Sequence, residues 1–333
     1  MSILKRALVS ALVGGTICGA AVGASAGTHF SAWGMAEKVD EIAGNHVDLN
    51  TPSLDGCPVQ SPDGLSLYMA SNRPGSMESS PGVRSLDIWV AHRTSTDAPF
   101  GVPVNLGPPI NSEADDFCPT PVRGNGLFFV SRRVVAGVTC GLGDIYFTRL
   151  NPDHGWSTPE HLGCAPAGPN TGLDEQGPSY VEANGGGQLY FSSSRVPAQG
   201  GLVPGDIYVS MQSADGTFGP GSLVSELSGT TAAATPANDI QPNVRKDGRE
   251  IVFSSDRTGT LGGQDIYVAT RDTTADPWSA PVNLGGAVNT EAAETRPALS
   301  WDAQTLYFGR APGPEGMSDI YAATRSKLNG SDG

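Results

Sequence analysis

Five carboxylates recur along this 333-residue chain, each three residues before a proline: Asp55 with Pro58, Asp116 with Pro119, Glu175 with Pro178, Asp239 with Pro242 and Glu294 with Pro297. Brought to one locality, five like charges cannot all stay ionised unaided, because each raises the pKa of the others. A bound cation such as Ca²⁺ is one relief, since it takes several carboxylate oxygens. An arginine for each acid is the other. Arg73, Arg133, Arg195, Arg257 and, two positions early, Arg310 follow the five acids, and a guanidinium suits pairing with a carboxylate. The spacing favours the arginines. With Asp247 as the centre of a hairpin turn, Asp239 falls opposite Ser255, two residues from Arg257; with Gly185 as centre, Glu175 falls opposite Arg195. A residue repeated five times has the same environment each time, whereas a catalytic acid and base need different ones. The ring, expected at one mouth of a central channel, therefore reads as structural, with no resident metal or cofactor.

Acids that break the pattern carry the sharper chemistry. Asp115 and Asp174 double the recurring acid in adjacent units, and Arg296 adds a cation beside Glu294. Asp115, Asp116 and Asp174 form the candidate set for a two-carboxyl reaction. The five histidines (His29, His46, His92, His154, His161) share no spacing and no repeat position, so neither a zinc site nor a nucleophilic triad has support. No Gly-x-Ser-x-Gly, P-loop or dinucleotide fingerprint is present, and the glycines follow the turns.

The elements that position these residues are short strands. Between each acid and its arginine lies an apolar triplet: Leu67-Tyr68-Met69, Leu127-Phe128-Phe129, Leu189-Tyr190-Phe191, Ile251-Val252-Phe253 and Leu306-Tyr307-Phe308. An Asp-Ile-aromatic step follows, at Asp87, Asp144, Asp206, Asp265 and Asp319, its Asp fitted to accept hydrogen bonds at a strand start. A fourth segment reads Phe100-Gly-Val-Pro103, Trp156-Ser-Thr-Pro159, Phe218-Gly-Pro220 and Trp278-Ser-Ala-Pro281. The fifth unit lacks it, and Trp33 to Val39 supplies a match at the other end of the chain. Four strands cannot bury both faces of a small sheet, so each unit needs neighbours. The fold expected is all-β: a five-bladed β-propeller, four antiparallel strands per blade, with the last blade closed by the N-terminal strand at about 33–39.

Lys5 and Arg6, an apolar stretch and Ala24-Ser25-Ala26 read as a signal peptide over 1–26. Residues 27–45 then carry the closing strand, 46–325 the propeller and 326–333 a polar tail. The chain is expected to be exported, to the periplasm or the extracellular space. Cys57, Cys118, Cys140 and Cys164 remain after the leader, an even count that suggests two disulfides. Cys140 precedes the third strand of one blade and Cys164 follows its fourth, which predicts Cys140–Cys164. Cys57 and Cys118 hold one repeat position in neighbouring blades, which predicts the second pair. A net charge of −14 and a pI near 4.6 exclude a basic nucleic-acid surface, and no later stretch is long enough to span a membrane.

Ser61-Pro62-Asp63-Gly64 before Leu67-Tyr68, the Ser-x-Arg steps Ser71-Asn72-Arg73 and Ser255-Asp256-Arg257, and the recurring Asp-Ile-Tyr resemble the TolB-like, WD40-like (PD40-type) propeller repeats of exported bacterial proteins. The resemblance covers about residues 30 to 325. The leading expectation is a non-catalytic, monomeric binding or scaffold protein that presents its channel face to an envelope protein, a peptide or a glycan. The alternative is a secreted carbohydrate-active hydrolase of five-bladed type using Asp115, Asp116 and Asp174 at the channel mouth, where two carboxyls suffice for glycoside cleavage.

Overall fold

The computed structural model describes residues 29–183, 186–194 and 204–328. The proposed signal peptide and Arg195 lie outside them. Five small antiparallel sheets surround one axis as a five-bladed propeller. The inner strands are Asp55–Gln60, Asp116–Val122, Glu175–Ala183, Ile240–Val244 and Ala293–Leu299. The apolar triplets form the second strands and the Asp-Ile-aromatic steps open the third. Alternation along the second strand sends the first and third residue of each triplet into the layers between blades. Leu67, Leu127, Leu189, Ile251 and Leu306 are fully buried there, as are Met69, Phe129, Phe191, Phe253 and Phe308.

The last blade is completed from the other end of the chain. Glu37–Lys38 pairs with Asp319–Thr324, in the order outermost strand first, then third, second and first. A second tie follows, since His29–Phe30 pairs with Lys327–Leu328, so the segment after Arg325 begins as a strand. Both ends of the described chain are therefore held in sheets.

The aromatic motifs are not the fourth strands that close the sheets, although in blade two Gly155–Trp156 pairs with the end of the third strand. Those strands lie just after them, at Val104–Asn105, Glu160–His161, Ser222–Leu223, Val282–Asn283 and Glu37–Lys38. The physical reason is the aromatic side chain. Phe100, Phe218 and Trp278 turn inward and are buried, while the next residue donates its N–H to the end of the third strand. Gly34, Gly101, Ser157, Gly219 and Ser279 make that bond to Thr324, His92, Arg149, Met211 and Thr270. Gly34 occupies the same register as the other four, which is why Trp33 aligns with their aromatics.

The Asn-Ser/Thr pairs upstream of four inner strands also have a defined task. The Asn amide brackets the Ile of an Asp-Ile-aromatic step, accepting its N–H and donating to its carbonyl: Asn50 with Ile320, Asn111 with Ile88, Asn170 with Ile145 and Asn289 with Ile266. Each clamp joins the loop entering one blade to the third strand of the blade before it.

Candidate functional site at the channel mouth

Every inner strand changes register just after its acid, and the residue two beyond the acid takes a left-handed backbone: Cys57, Cys118, Gly177, Gln241 and Arg296, with φ between 48° and 58°. Such bulges bend a strand and re-aim its side chains. All five residues, with the prolines that follow, line the axial cavity, whose volume is only about 30 Å³. At Gly177 the approach is closest: a Cβ there would stand 2.6 Å from the Cα of Gln241. Arg296 fills much of what remains. Its Nη1 lies where a side chain on Gly56 would be, and its buried Nε has no hydrogen-bond partner among the described residues. Burial, with the nearby charge of Arg132, lowers its pKa to about 10, which leaves it protonated at neutral pH.

The five recurring acids do not line this cavity. Asp55, Asp116, Glu175, Asp239 and Glu294 are each fully buried and turned sideways into the loop that enters their own blade. Local donors hold them there. Thr51, Ser112, Thr171 and Thr290 each give a backbone N–H and a hydroxyl to the acid four residues on; Gly229 gives its N–H to Asp239. Guanidinium groups lie on the other side: Arg73 Nη2 is 2.5 Å from Asp55, Arg133 Nη2 2.7 Å from Asp116, Arg257 Nη2 2.5 Å from Asp239 and Arg310 Nε 2.7 Å from Glu294. Glu175 also accepts from Ser193 at 2.6 Å. Asp116, buried and committed to Arg133 and Ser112, is thereby withdrawn from the set of three acids considered for catalysis.

Asp115 and Asp174 do not line the cavity either, but Asp174 approaches it through Gln176, which also contacts Gln241, and one side chain joins the two acids. Arg132 Nη1 lies 3.1 Å from Asp115 Oδ2, and its Nη2 lies 3.5 Å from Asp174 Oδ2 in the next blade. In blades one and four the residue equivalent to Arg132 does something else. Asn72 and Asp256 accept the N–H of Leu54 and Asn238, the residues before the buried acids. Arg132 has no acceptor oxygen to offer there, so it reaches across the blade boundary instead. Asp115 is fixed further by the N–H of Leu86, and Asp174 by the amide of Gln176. Arg132 and Asp115 stay partly open to solvent, with side-chain exposures of 41% and 31%. Asp174 Oδ1 is buried against Gly143 without a hydrogen bond. The two carboxylates thus share one guanidinium across the blade boundary.

Both disulfides are present. Cys57–Cys118 ties the inner strands of blades one and two, with Cα atoms 4.8 Å apart, and Cys140–Cys164 ties two loops of blade two, at 5.8 Å. Two disulfides place the chain in an oxidising compartment, as an exported protein. His161, which no sequence spacing singles out, sits beside the second bridge: its Nε2 is 3.7 Å from Cys140 Sγ and 3.1 Å from Asp144 Oδ2. Asn105 and Asn283 make the same contact to Asp87 and Asp265 in blades one and four. Gly163 donates its N–H to His161 Nδ1, and the amide of Asn170 lies 3.2 Å from Nε2.

No protein-family model and no curated protein matches the chain. Solved structures do. A thermostable family-43 glycoside hydrolase superposes with a TM-score of 0.52 at 12% identity, over 84% of this chain and 91% of that one. An N-acetylgalactosamine deacetylase from F. plautii, solved with blood group B trisaccharide, gives 0.53 at 12% over 89% and 96%. A GH43_12 protein from a capybara gut metagenome gives 0.50 at 13%, over 90% of this chain and 58% of that one. At such identities the likeness shows the fold. It corrects two expectations. The TolB-like resemblance is not supported, because the repeat marks it rests on (the Asp-Gly turns, the Ser-x-Arg steps, the Asp-Ile-Tyr strand starts) are answers to blade packing that any such sheet can reach. The expectation of a non-catalytic binding scaffold is likewise not supported, since the structures that share this architecture include a family-43 glycoside hydrolase and an N-acetylgalactosamine deacetylase.

Proposed function

We propose that the chain is a secreted carbohydrate-active hydrolase, acting in the periplasm or outside the cell, with Asp115 and Asp174 as its carboxyl pair. The observation that carries this reading is Arg132, which holds two non-repeated acids of neighbouring blades together at the mouth of the axis. The small axial cavity means that a glycan lies across the mouth and does not enter the channel. In such a reaction one carboxyl protonates the leaving oxygen and the other activates water or attacks the sugar carbon. Arg132 orders both groups before substrate arrives and, being partly exposed, can turn aside to admit it.

A hydrolysis screen against arabinan, xylan and N-acetylated oligosaccharides tests the reading. Cleavage that falls about a hundredfold or more in Asp115→Asn and Asp174→Asn is expected, the size of a general acid–base contribution. No cleavage of any glycan, or cleavage untouched by both substitutions, overturns it.

A further inference from the structure

On the side of the molecule away from the mouth, a groove of about 580 Å³ opens between blades two and three. That volume is in the range of small-molecule sites. Its floor is four packed rings. Phe128 lies 4.6 Å from Phe147, 5.4 Å from Tyr180 and 5.7 Å from Phe218, centroid to centroid. Phe128 and Phe218 are buried, whereas Phe147 and Tyr180 keep part of their surface open.

The rings depart from the repeat. Position three after the strand-opening Asp is Val90, Val209, Val268 or Ala322 in the other blades, and Phe147 here. Position five after the inner-strand acid is Gln60, Pro121, Val244 or Leu299 elsewhere, and Tyr180 here. Both are given room by glycine. A Cβ on Gly126 would stand 2.9 Å from the Phe147 ring, and one on Gly187 would stand 2.2 Å from Tyr180. The corresponding groove between blades five and one, with Ala322 and Tyr307 in its wall, holds about 340 Å³.

The rim decides what the groove can hold. Exposed Glu160, Glu182 and Asp215 offer acceptors, while exposed Arg123 and Arg149 offer donors and Arg149 lies over the Phe147 ring. A cation would meet the arginines and an anion would meet the acids. A neutral polyol meets both kinds of group with hydroxyls that donate and accept, and the C–H face of a sugar ring packs on an aromatic face. We infer that this groove is a binding site for a neutral carbohydrate, separate from the channel mouth. Nothing in it needs Asp115 or Asp174, so it stands whether or not the mouth is catalytic.

The test is binding of neutral arabino-, xylo- and cello-oligosaccharides to the intact oxidised protein, read by amide chemical-shift perturbation and by titration calorimetry. Expected is saturable binding with shifts centred on Phe147, Tyr180 and Gly219. Phe147→Val, which installs the residue of blades three and four, should weaken it about tenfold or more, and Asp115→Asn should leave it unchanged. Tyr180→Leu serves as a second variant should Phe147→Val unfold. No saturable binding by any of the three sugars, or equal affinity in the ring variants, overturns the inference. Binding lost in Asp115→Asn but kept in Phe147→Val would assign the sugar to the mouth and overturn it equally. If the hydrolysis screen fails while groove binding persists, the catalytic reading falls alone.

Discussion

Arg310 and Glu294 stand directly opposite one another in the first hairpin of the fifth blade, Nε to Oε1 at 2.7 Å. In blade four the partner is Arg257, two residues further along its strand, and it reaches back with Nη2 to Asp239. Arginine position and the nitrogen it offers thus shift together: the residue placed opposite the acid reaches it through Nε, and the residue beyond the strand end must extend its fork. Two sequences reach the same neutral, buried pair.

Breaking one such pair should be costly because the survivor stays buried. Asp239 is fully enclosed and keeps only Gly229 and Ser255 as donors when Arg257 is lost. Arg257→Met is expected to lower unfolding free energy by about 3–5 kcal/mol, the usual cost of an uncompensated buried charge. Asp239→Asn combined with Arg257→Met should recover much of that loss. Urea unfolding of the two variants checks it; a double variant as unstable as Arg257→Met would contradict the pairing account.

How much of this was legible depends on range. The five-bladed ring is readable because each blade is local: triplet, Asp-Ile-aromatic step and aromatic motif recur within about sixty residues, and the missing fourth strand of unit five points to Trp33. The acid–arginine spacing is readable for the same reason, since one hairpin fixes it. The fourth strands of blades one to four lie a few residues past the aromatics because Phe100 and Trp278 are buried plugs preceding the strand, whereas Glu37–Lys38 falls within the expected 33–39. Across blade boundaries, the Cys57–Cys118 bridge is readable from its shared repeat position, whereas contacts between unrepeated side chains are not. Arg132 looks like a neighbour of Arg133, and only the blade packing shows that it faces Asp174. The sideways turn of Asp55 and its equivalents depends on Thr51-type donors in a loop, so a ring of acids at the channel mouth was the wrong picture.

Because these acids are buried and bonded to arginine, hydroxyl and backbone N–H groups, they have no open coordination sites for Ca²⁺. Adding millimolar CaCl₂ or removing divalent ions with EDTA should leave the melting temperature unchanged. A site specific to the native state would raise stability with ion concentration by RT ln(1 + [L]/Kd), and such a rise in a differential scanning experiment would return the acids to a metal-binding role.

Two groups of aspartates should titrate with opposite effect on stability. Burial raises the pKa of Asp87 above 3.8, only partly offset by bonds from Asn105, Met77 N–H and Ser85. The folded protein then binds the proton more readily than the unfolded chain, so the penalty is present at neutral pH and is relieved as pH falls through the folded value toward 3.8. Asp63 behaves in reverse. The Ser61 hydroxyl, with the N–H of Leu65, holds its carboxyl below 3.8, so its contribution is present above 3.8 and lost as pH falls through the lower folded value. As pH falls from the raised folded value toward 3.8, wild type should gain stability relative to Asp87→Asn. Below pH 3.8 it should lose its advantage over Asp63→Asn. Denaturant midpoints measured across pH 2.5–6 decide both slopes.

The two disulfides close loops of different length, and their removal should separate accordingly. Cys140–Cys164 spans 24 residues and Cys57–Cys118 spans 61. Constraint of the unfolded chain predicts about 3 kcal/mol for the shorter loop and about 4 kcal/mol for the longer one. The second bridge also lines the axis beside Arg296, so replacing both of its sulfurs opens space next to an unpaired cation. Cys57→Ser with Cys118→Ser is therefore expected to cost more than Cys140→Ser with Cys164→Ser, measured by urea unfolding of each double variant. The order should reverse only if the loop around His161 and Asp144 is itself a hinge of the native fold: losing Cys140–Cys164 would then loosen blade two as a unit, and hydrogen exchange at Tyr146 and Phe147 would rise together with the instability.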